Sequence, residues 1–260
     1  MHPLRQITAR TAAVAAGITA ATTLALVTAA PPAGAATTSA TGEYNAALKA
    51  VGSQGVHFDS TAQQNGATLD VTGDAGSTSG SQSLVVKSNG ITERMTARVV
   101  GKTGYVSGNA AALQHVIGLT KAQSSKYANT WLSFPTSNNG LDELVGGLLS
   151  SEVAKELEIG GPYTYGKAAT VAGQKATAII GSVATQSGSK VPVVLYVPTS
   201  GKPLPIKEVT NAGTGGGASA IHGTVTFSNW GEDKSQAAPS KTTSLLKLIP
   251  ASSSTTTTGG

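Results

Sequence analysis

Apolar and polar residues alternate along much of the chain, and the clearest run is Ile91–Val100. In this run Met95, Ala97 and Val99 lie on one face, and the residues between them lie on the other. A period of two is typical of a β-strand with two unlike faces. Gly101–Gly104 supplies turn residues before an alternating segment that starts at Tyr105, so this stretch predicts a β-hairpin.

Similar segments occur on both sides of this hairpin and predict a long meander. Asn65-Gly66 and Asn89-Gly90 are strong turn signals between neighbouring segments. Because consecutive strands joined by short turns usually pair with each other, we expect an antiparallel sheet of about ten strands. The segments are Val56–Ser60, Leu69–Val71, Ser81–Ser88, Ile91–Val100, Tyr105–Val106, Thr130–Phe134, Tyr163–Val171, Lys175–Val183, Val191–Val197, Ile206–Val209 and Ile221–Phe227.

Three other segments follow a helical period. Glu43–Val51 predicts a short helix ahead of the first strand. Ala110–Ile117 predicts a second helix with Asn109 as its N-cap. Leu141–Leu157 predicts one long helix, because its Leu and Val residues recur at i, i+3, i+4 and i+7 and Gly160–Pro162 ends the pattern.

These elements predict an α+β fold in which one curved antiparallel sheet carries helical insertions. The apolar stripes of the helices need a surface to cover, and the Met95 face of the hairpin is the nearest one. A sheet that curves around the helices and is imperfectly filled leaves an apolar cavity. The alternative is that the same stripes form a fully packed core.

The N-terminal 35 residues have the pattern of a secretory signal peptide. Arg5 and Arg10 are basic, Thr11–Ala30 is uncharged, and Pro31–Ala35 contains an A-x-A cleavage site. A retained transmembrane anchor is the alternative, but the run consists mostly of Ala and Thr. We therefore expect residues 36–245 to form one folded domain and residues 246–260 to be a disordered Ser/Thr/Gly-rich tail.

Cleavage after Ala35 can be tested by the intact mass of the protein recovered from culture medium or cell wall. The basic segment, apolar run and A-x-A site predict a chain that begins at residue 36. A recovered mass that still includes residues 1–30 would contradict this prediction.

The amino-acid composition excludes several kinds of chemical site. The chain has no cysteine, so disulfides, zinc–thiolate sites and acylation at a lipobox cysteine are all excluded. Only His57, His115 and His222 lie beyond the leader, and no two of them have metal-ligand spacing. No nucleophile elbow is present. We predict no catalytic residues, no metal and no cofactor; an enzyme with a site assembled from distant residues is the weakest alternative.

Charge gives no sign of a nucleic-acid partner. The formal net charge of +5 includes Arg5 and Arg10 of the leader, so the remaining chain is only mildly basic. Its basic residues are scattered and are not interleaved with aromatic residues. We interpret them as a solvated surface.

Several motifs, in this order, resemble one family of envelope proteins. They are RVVGKTGYVSGN within Met95–Asn109, KYANTWLSFP at Lys126–Pro135, GKPLPI at Gly201–Ile206, and FSNWG at Phe227–Gly231 followed by Ala238-Pro239. The chain resembles the secreted and lipid-anchored actinobacterial proteins of the LppX/LprG type, whose fold is similar to that of the lipoprotein carrier LolA. The resemblance implies a strongly curved half-barrel with helices over its concave side and an apolar cavity between them.

The resemblance also implies that the protein binds or carries a lipid or glycolipid, with transient membrane contact. The missing lipobox cysteine implies a secreted protein of the cell wall or periplasm-like space without a covalent anchor. The alternative is a structural or interaction module of the envelope with a packed core. The residues expected to line a cavity are Met95, Ala97, Val99, Leu113, Val116, Ile117, Leu144, Leu148, Leu149, Val193, Leu195, Val225 and Phe227.

Overall fold

The computed structural model describes residues 39–52, 54–64, 66–137, 141–184, 190–212, 221–232 and 234–249. The expected leader, the residues beyond 249 and the candidate turn residue Asn65 lie outside these ranges. Four α-helices are described: α1 (Ala40–Val51), α2 (Ala110–His115), α3 (Lys121–Tyr127) and α4 (Ser150–Glu156). Two 3₁₀ turns cover Asp142–Leu144 and Leu245–Lys247. None of the described helices combines the length and apolar character needed to cross a membrane.

Thirteen described strands form one sheet that curls without closing, which confirms the predicted α+β class with a curved sheet. The strand number is about thirteen rather than the predicted ten. The strands are β1 (Val56–Gln64), β2 (Ala67–Ala75), β3 (Ser79–Ser88), β4 (Ile91–Val100), β5 (Thr103–Gly108), β6 (Leu132–Pro135), β7 (Gly160–Tyr165), β8 (Ala169–Val171), β9 (Gln174–Ala184), β10 (Lys190–Pro198), β11 (Lys207–Ala212), β12 (Ile221–Ser228) and β13 (Thr243–Ser244).

The meander predicted from the turns accounts for most of the sheet. Strands β1 to β6 pair in sequence, as do β9 to β12. Strand β12 pairs with β1 and so joins the two series in one sheet. All these pairs are antiparallel, and the pairing of β13 with β6 is parallel. The extra strands arise because the predicted strand Tyr163–Val171 is divided into β7 and β8, and because the chain returns to β6 through β13.

The predicted long helix Leu141–Leu157 is wrong. The segment forms a 3₁₀ turn at Asp142–Leu144, an irregular stretch over residues 145–149 and the short helix α4. Gly147 has a φ of +75°, which a helix does not allow, and Leu149 is extended and forms a β-bridge with Gly76. Contact with the sheet therefore outweighs the helical periodicity, and two adjacent glycines lower the helix propensity by about 1 kcal/mol each.

The second helical region is also more divided than its pattern suggests. Helix α2 ends at His115, and the polar run after it forms α3, which the sequence analysis did not predict. The cap of α2 is as expected, since the Asn109 side chain accepts a hydrogen bond from the Ala112 backbone amide at 2.9 Å. Thr120 and Gln123 form a capping box that starts α3.

The buried apolar side chains form two clusters. Cluster one joins α2, Leu144 of the 3₁₀ turn and Leu148 of the irregular stretch to strands β2 to β6. Cluster two joins α1 and α4 to β9 and β10, and it also contains Val56 of β1 and Ala75 of β2. Phe58 of β1 is partly buried and packs against both. The two clusters therefore meet on β1 and β2.

The irregular stretch sits directly on β3 at Gly80, which gives a testable prediction. A Cβ at residue 80 would overlap the carbonyl oxygen of Leu148 and lie 2.7 Å from that of Asp74, both backbone atoms. We expect Gly80→Ala to lower the free energy of unfolding by about 2 kcal/mol, because the backbone must move. Chemical denaturation measures this change.

Gly146→Ala is the matched control in the same stretch. The nearest atoms to its added Cβ are backbone oxygens at 3.8 Å and 3.9 Å, so we expect a change within about 0.5 kcal/mol. Equal effects of the two substitutions would contradict the contact between this stretch and β3.

Candidate functional site

Strand register places one continuous row of side chains across the face of the sheet that carries both clusters. We call this the inner face. Met95 of β4 is paired with Leu84, which is paired with Val71, and the row continues to Ser60 of β1. Ser60 is paired with Val225 of β12, which is paired with Glu208 of β11. The row then continues through Leu195 of β10 to Ile179 of β9.

Nine of the thirteen candidate cavity residues are fully buried in the two clusters. Cluster one contains Met95, Ala97, Val99, Leu113, Ile117, Leu144 and Leu148, and cluster two contains Val193 and Leu195. Val116 and Leu149 are partly buried against cluster one, and Phe227 is partly buried against cluster two. Val225 is partly buried and belongs to neither cluster. The candidates thus divide into two groups on either side of β1 and β12.

Between the two clusters lies a surface that we call the central strip. Four of its side chains are apolar and only partly buried: Phe58 and Ala62 of β1, and Val225 and Phe227 of β12. The others are Ser60 of β1 and two side chains of β11, Glu208 and Thr210. Gly223 separates Thr210 from Ala62 in the register and adds no side chain. The strip therefore combines partly buried apolar side chains with buried polar ones between the two clusters.

The polar side chains of the central strip are deeply buried. Ser60 and Thr210 are each 2% exposed, and Glu208 is 5% exposed. The hydroxyl oxygen of Ser60 has no hydrogen-bond partner among the described residues. A buried polar atom without a partner costs free energy, so its retention points to a function or a ligand.

Among the acids in the described part of the chain, Glu208 has the pKa that departs most from its ordinary value. Burial raises the pKa of its carboxyl to about 7, and the negative charge of Glu156 on α4 adds to the effect. A carboxyl in this state can donate a hydrogen bond when protonated and accepts hydrogen bonds in either state. Glu208 thus gives the strip a polar group that changes its charge near neutral pH.

None of these polar residues is among the sequence-predicted site residues. Ser60 could have been found, because it shares the alternating face of Val56 and Phe58. Glu208 and Thr210 could not, because only the pairing of β11 with β12 and β10 places them opposite Val225 and Gly223.

The histidines lie outside the strip and pair with acids or amides. The His57 ring nitrogen Nδ1 lies 2.9 Å from a carboxylate oxygen of Asp74. His115 on α2 lies 2.7 Å from Glu93, a buried acid on β4, so this pair ties the helix to the sheet. Within the described ranges, no group of three or more His, Asp or Glu side chains could hold a metal ion.

Comparison with known proteins shows a likeness in fold. No protein-family model matches the chain, and no curated protein matches it. The crystal structure of LprF from Mycobacterium bovis aligns with a TM-score of 0.50 and 14% identity, over 77% of this chain and 96% of that chain. The lipoprotein LppX from Mycobacterium tuberculosis aligns with a TM-score of 0.44 and 16% identity, over 74% and 95% of the two chains. The likeness to LprF supports the half-barrel that the motifs implied.

Proposed function

We propose that this protein binds an apolar, lipid-like ligand on the inner face of its curled sheet and carries it in the cell envelope. The observation that supports this most is the central strip, where apolar side chains stay partly exposed between two filled clusters. Protein interiors are normally packed to high density. A concave, mostly apolar surface with a few polar groups is instead typical of a ligand site.

In this proposal the thirteen candidate residues have three roles. Val225 and Phe227 belong to the floor of the site, and Val116 and Leu149 belong to its rim because they too are partly buried. The nine fully buried candidates form the walls on either side of the floor. An acyl chain suits such a site, because each buried methylene contributes about 0.8 kcal/mol without a strict demand on geometry.

The cellular setting is part of the same proposal. The leader would be removed after Ala35, and the mature protein would act in the cell wall or periplasm-like space without a covalent anchor. The LppX/LprG resemblance and the fold shared with LprF support an envelope role. We propose a lipid or glycolipid as the partner, with transient membrane contact during exchange and neither nucleic acid nor catalysis involved.

A second candidate function is a structural or interaction module of the envelope. It is favoured by the nine candidate residues that are fully buried, because a core filled to this extent needs no ligand. The two functions differ in what they predict for the central strip, which is filled by a ligand in one and stays empty in the other.

Native mass spectrometry distinguishes the two candidates. The protein is purified without detergent and measured before and after incubation with phospholipid and glycolipid vesicles. The proposal predicts a complex with one lipid molecule in at least one of these samples. A protein that carries no lipid and takes none from either kind of vesicle would leave the structural module as the function.

A further inference from the structure

We propose that the polar part of the central strip is a hydrogen-bonding subsite for a neutral, hydroxyl-bearing group of the ligand, such as a glycerol or sugar hydroxyl, and that it disfavours anionic groups. This inference rests on the proposed lipid binding and names the chemical class of the ligand. The subsite consists of Ser60, Glu208 and Thr210.

Register brings these three side chains to one place on three neighbouring strands. Ser60 and Glu208 are both paired with Val225, one from each side. Their Cα atoms are therefore two strand spacings apart, roughly 10 Å. Thr210 lies two residues beyond Glu208 on the same face of β11. The three side chains therefore share one face of adjacent strands, where one glycerol or sugar unit can contact more than one of them.

The chemistry of the subsite fits a hydroxyl group. The Ser60 hydroxyl can donate and accept, and its oxygen lacks a partner among the described residues. The carboxyl of Glu208 accepts from a ligand hydroxyl, and the Thr210 hydroxyl can do either. A ligand hydroxyl would therefore satisfy polar atoms whose burial is otherwise unfavourable.

The charge of the subsite argues against an anionic headgroup. The inner positions of β1, from Val56 to Gln64, and of β10, from Val191 to Val197, contain no Lys or Arg. The same is true of the inner positions Glu208 and Thr210. Glu156 contributes a second acid close enough to affect Glu208. A phosphate or carboxylate placed here would meet like charge, and the inner positions named on these three strands supply no cation.

Three oleoyl probes with the same chain test the subsite: monooleoylglycerol, methyl oleate and oleate. Each displaces a fluorescent acyl methyl ester from the protein at pH 8, where most of Glu208 is ionised. We expect monooleoylglycerol to bind about tenfold more tightly than methyl oleate, which lacks a hydroxyl, and oleate to bind about tenfold more weakly than methyl oleate.

Two variants separate hydrogen bonding from charge. Glu208→Gln keeps an acceptor but removes the charge, so it should retain the preference for monooleoylglycerol and lose the discrimination against oleate. Ser60→Ala should reduce that preference severalfold and leave the oleate discrimination unchanged. Thermal denaturation shows that each variant is folded, and the preference is read from the ratio of probe affinities within each variant.

The outcomes separate this inference from the function on which it rests. Equal binding of the three probes to the wild-type protein would overturn the subsite and leave lipid binding intact. Tighter binding of oleate than of monooleoylglycerol would also overturn it. Binding of none of the probes, nor of the fluorescent ester, would overturn both proposals.

Discussion

Replacing Val225 by tryptophan is expected to abolish or strongly reduce lipid uptake while the protein stays folded. Val225 is partly buried, lies in the middle of the central strip and belongs to neither apolar cluster. An indole ring at this position fills space that the ligand would occupy. Excluding three methylenes of an acyl chain removes about 2 kcal/mol of binding free energy, which lowers the affinity by more than tenfold.

Thr226→Trp is the matched control, because residue 226 is exposed and lies on the opposite face of the same strand. It introduces the same side chain next to the tested position and should leave lipid uptake unchanged. Uptake of monooleoylglycerol, followed by native mass spectrometry, compares the two variants, and thermal denaturation confirms that both are folded. Equal uptake by both would mean that the ligand does not lie over β12.

The second large effect concerns stability and pH at Glu208. Its pKa is raised from 4.5 to about 7 in the folded protein, mainly by burial and further by Glu156. The folded state therefore holds the proton more tightly than the unfolded chain does. As the pH rises from 4.5 to 7, the unfolded chain ionises first, and the folded state loses about 3 kcal/mol of stability relative to it.

Glu208→Gln removes this dependence, because the amide has a similar shape and does not ionise. We expect the variant and the wild type to have similar free energies of unfolding at pH 4. At pH 8 the variant should be more stable by up to about 3 kcal/mol. Urea denaturation of both proteins at pH 4, 6 and 8 measures the difference, and contributions from other titrating groups cancel in the comparison. A difference that does not change with pH would refute the raised pKa.

These two effects suggest why the central strip has its composition. A Gln or an apolar residue at position 208 would give a more stable sheet above pH 7, and partners for the Ser60 hydroxyl would do the same. Residues that lower stability in this way are commonly retained where they contact a ligand. The strip is therefore the part of the inner face where the sequence has residues that lower the stability of the fold.

Most of the sheet could be predicted from the sequence because its strands alternate and its turns are local. The pattern Ile91–Val100 and the turn Asn89-Gly90 each depend on residues close to one another in the chain. The segment Leu141–Leu157 was not predicted correctly, because its conformation depends on Gly76 and Gly80, which are far away in sequence. Local periodicity carries no information on that contact.

Prediction of the candidate site from local sequence patterns is limited in the same way. The apolar faces of Met95 and Leu195 could be predicted from each strand alone, and both are buried as expected of an inner face. The division of the core into two clusters depends on how α1, α4 and α2 are distributed over the sheet, and no single segment shows this. Glu208 becomes a candidate only when β11 is placed beside β12.

Photo-crosslinking tests the central claim most directly, because it shows where an acyl chain lies on the folded protein. A fatty-acid methyl ester with a diazirine in the middle of its chain is bound to the protein, and the complex is irradiated. Peptide mass spectrometry then identifies the labelled residues. Ligand binding on the central strip predicts labels on the inner positions of β1 and β12, at Phe58, Ala62, Val225 and Phe227, and their loss in Val225→Trp. Labels confined to outward positions such as Thr61, Thr224 and Thr226, or no label at all, would contradict it.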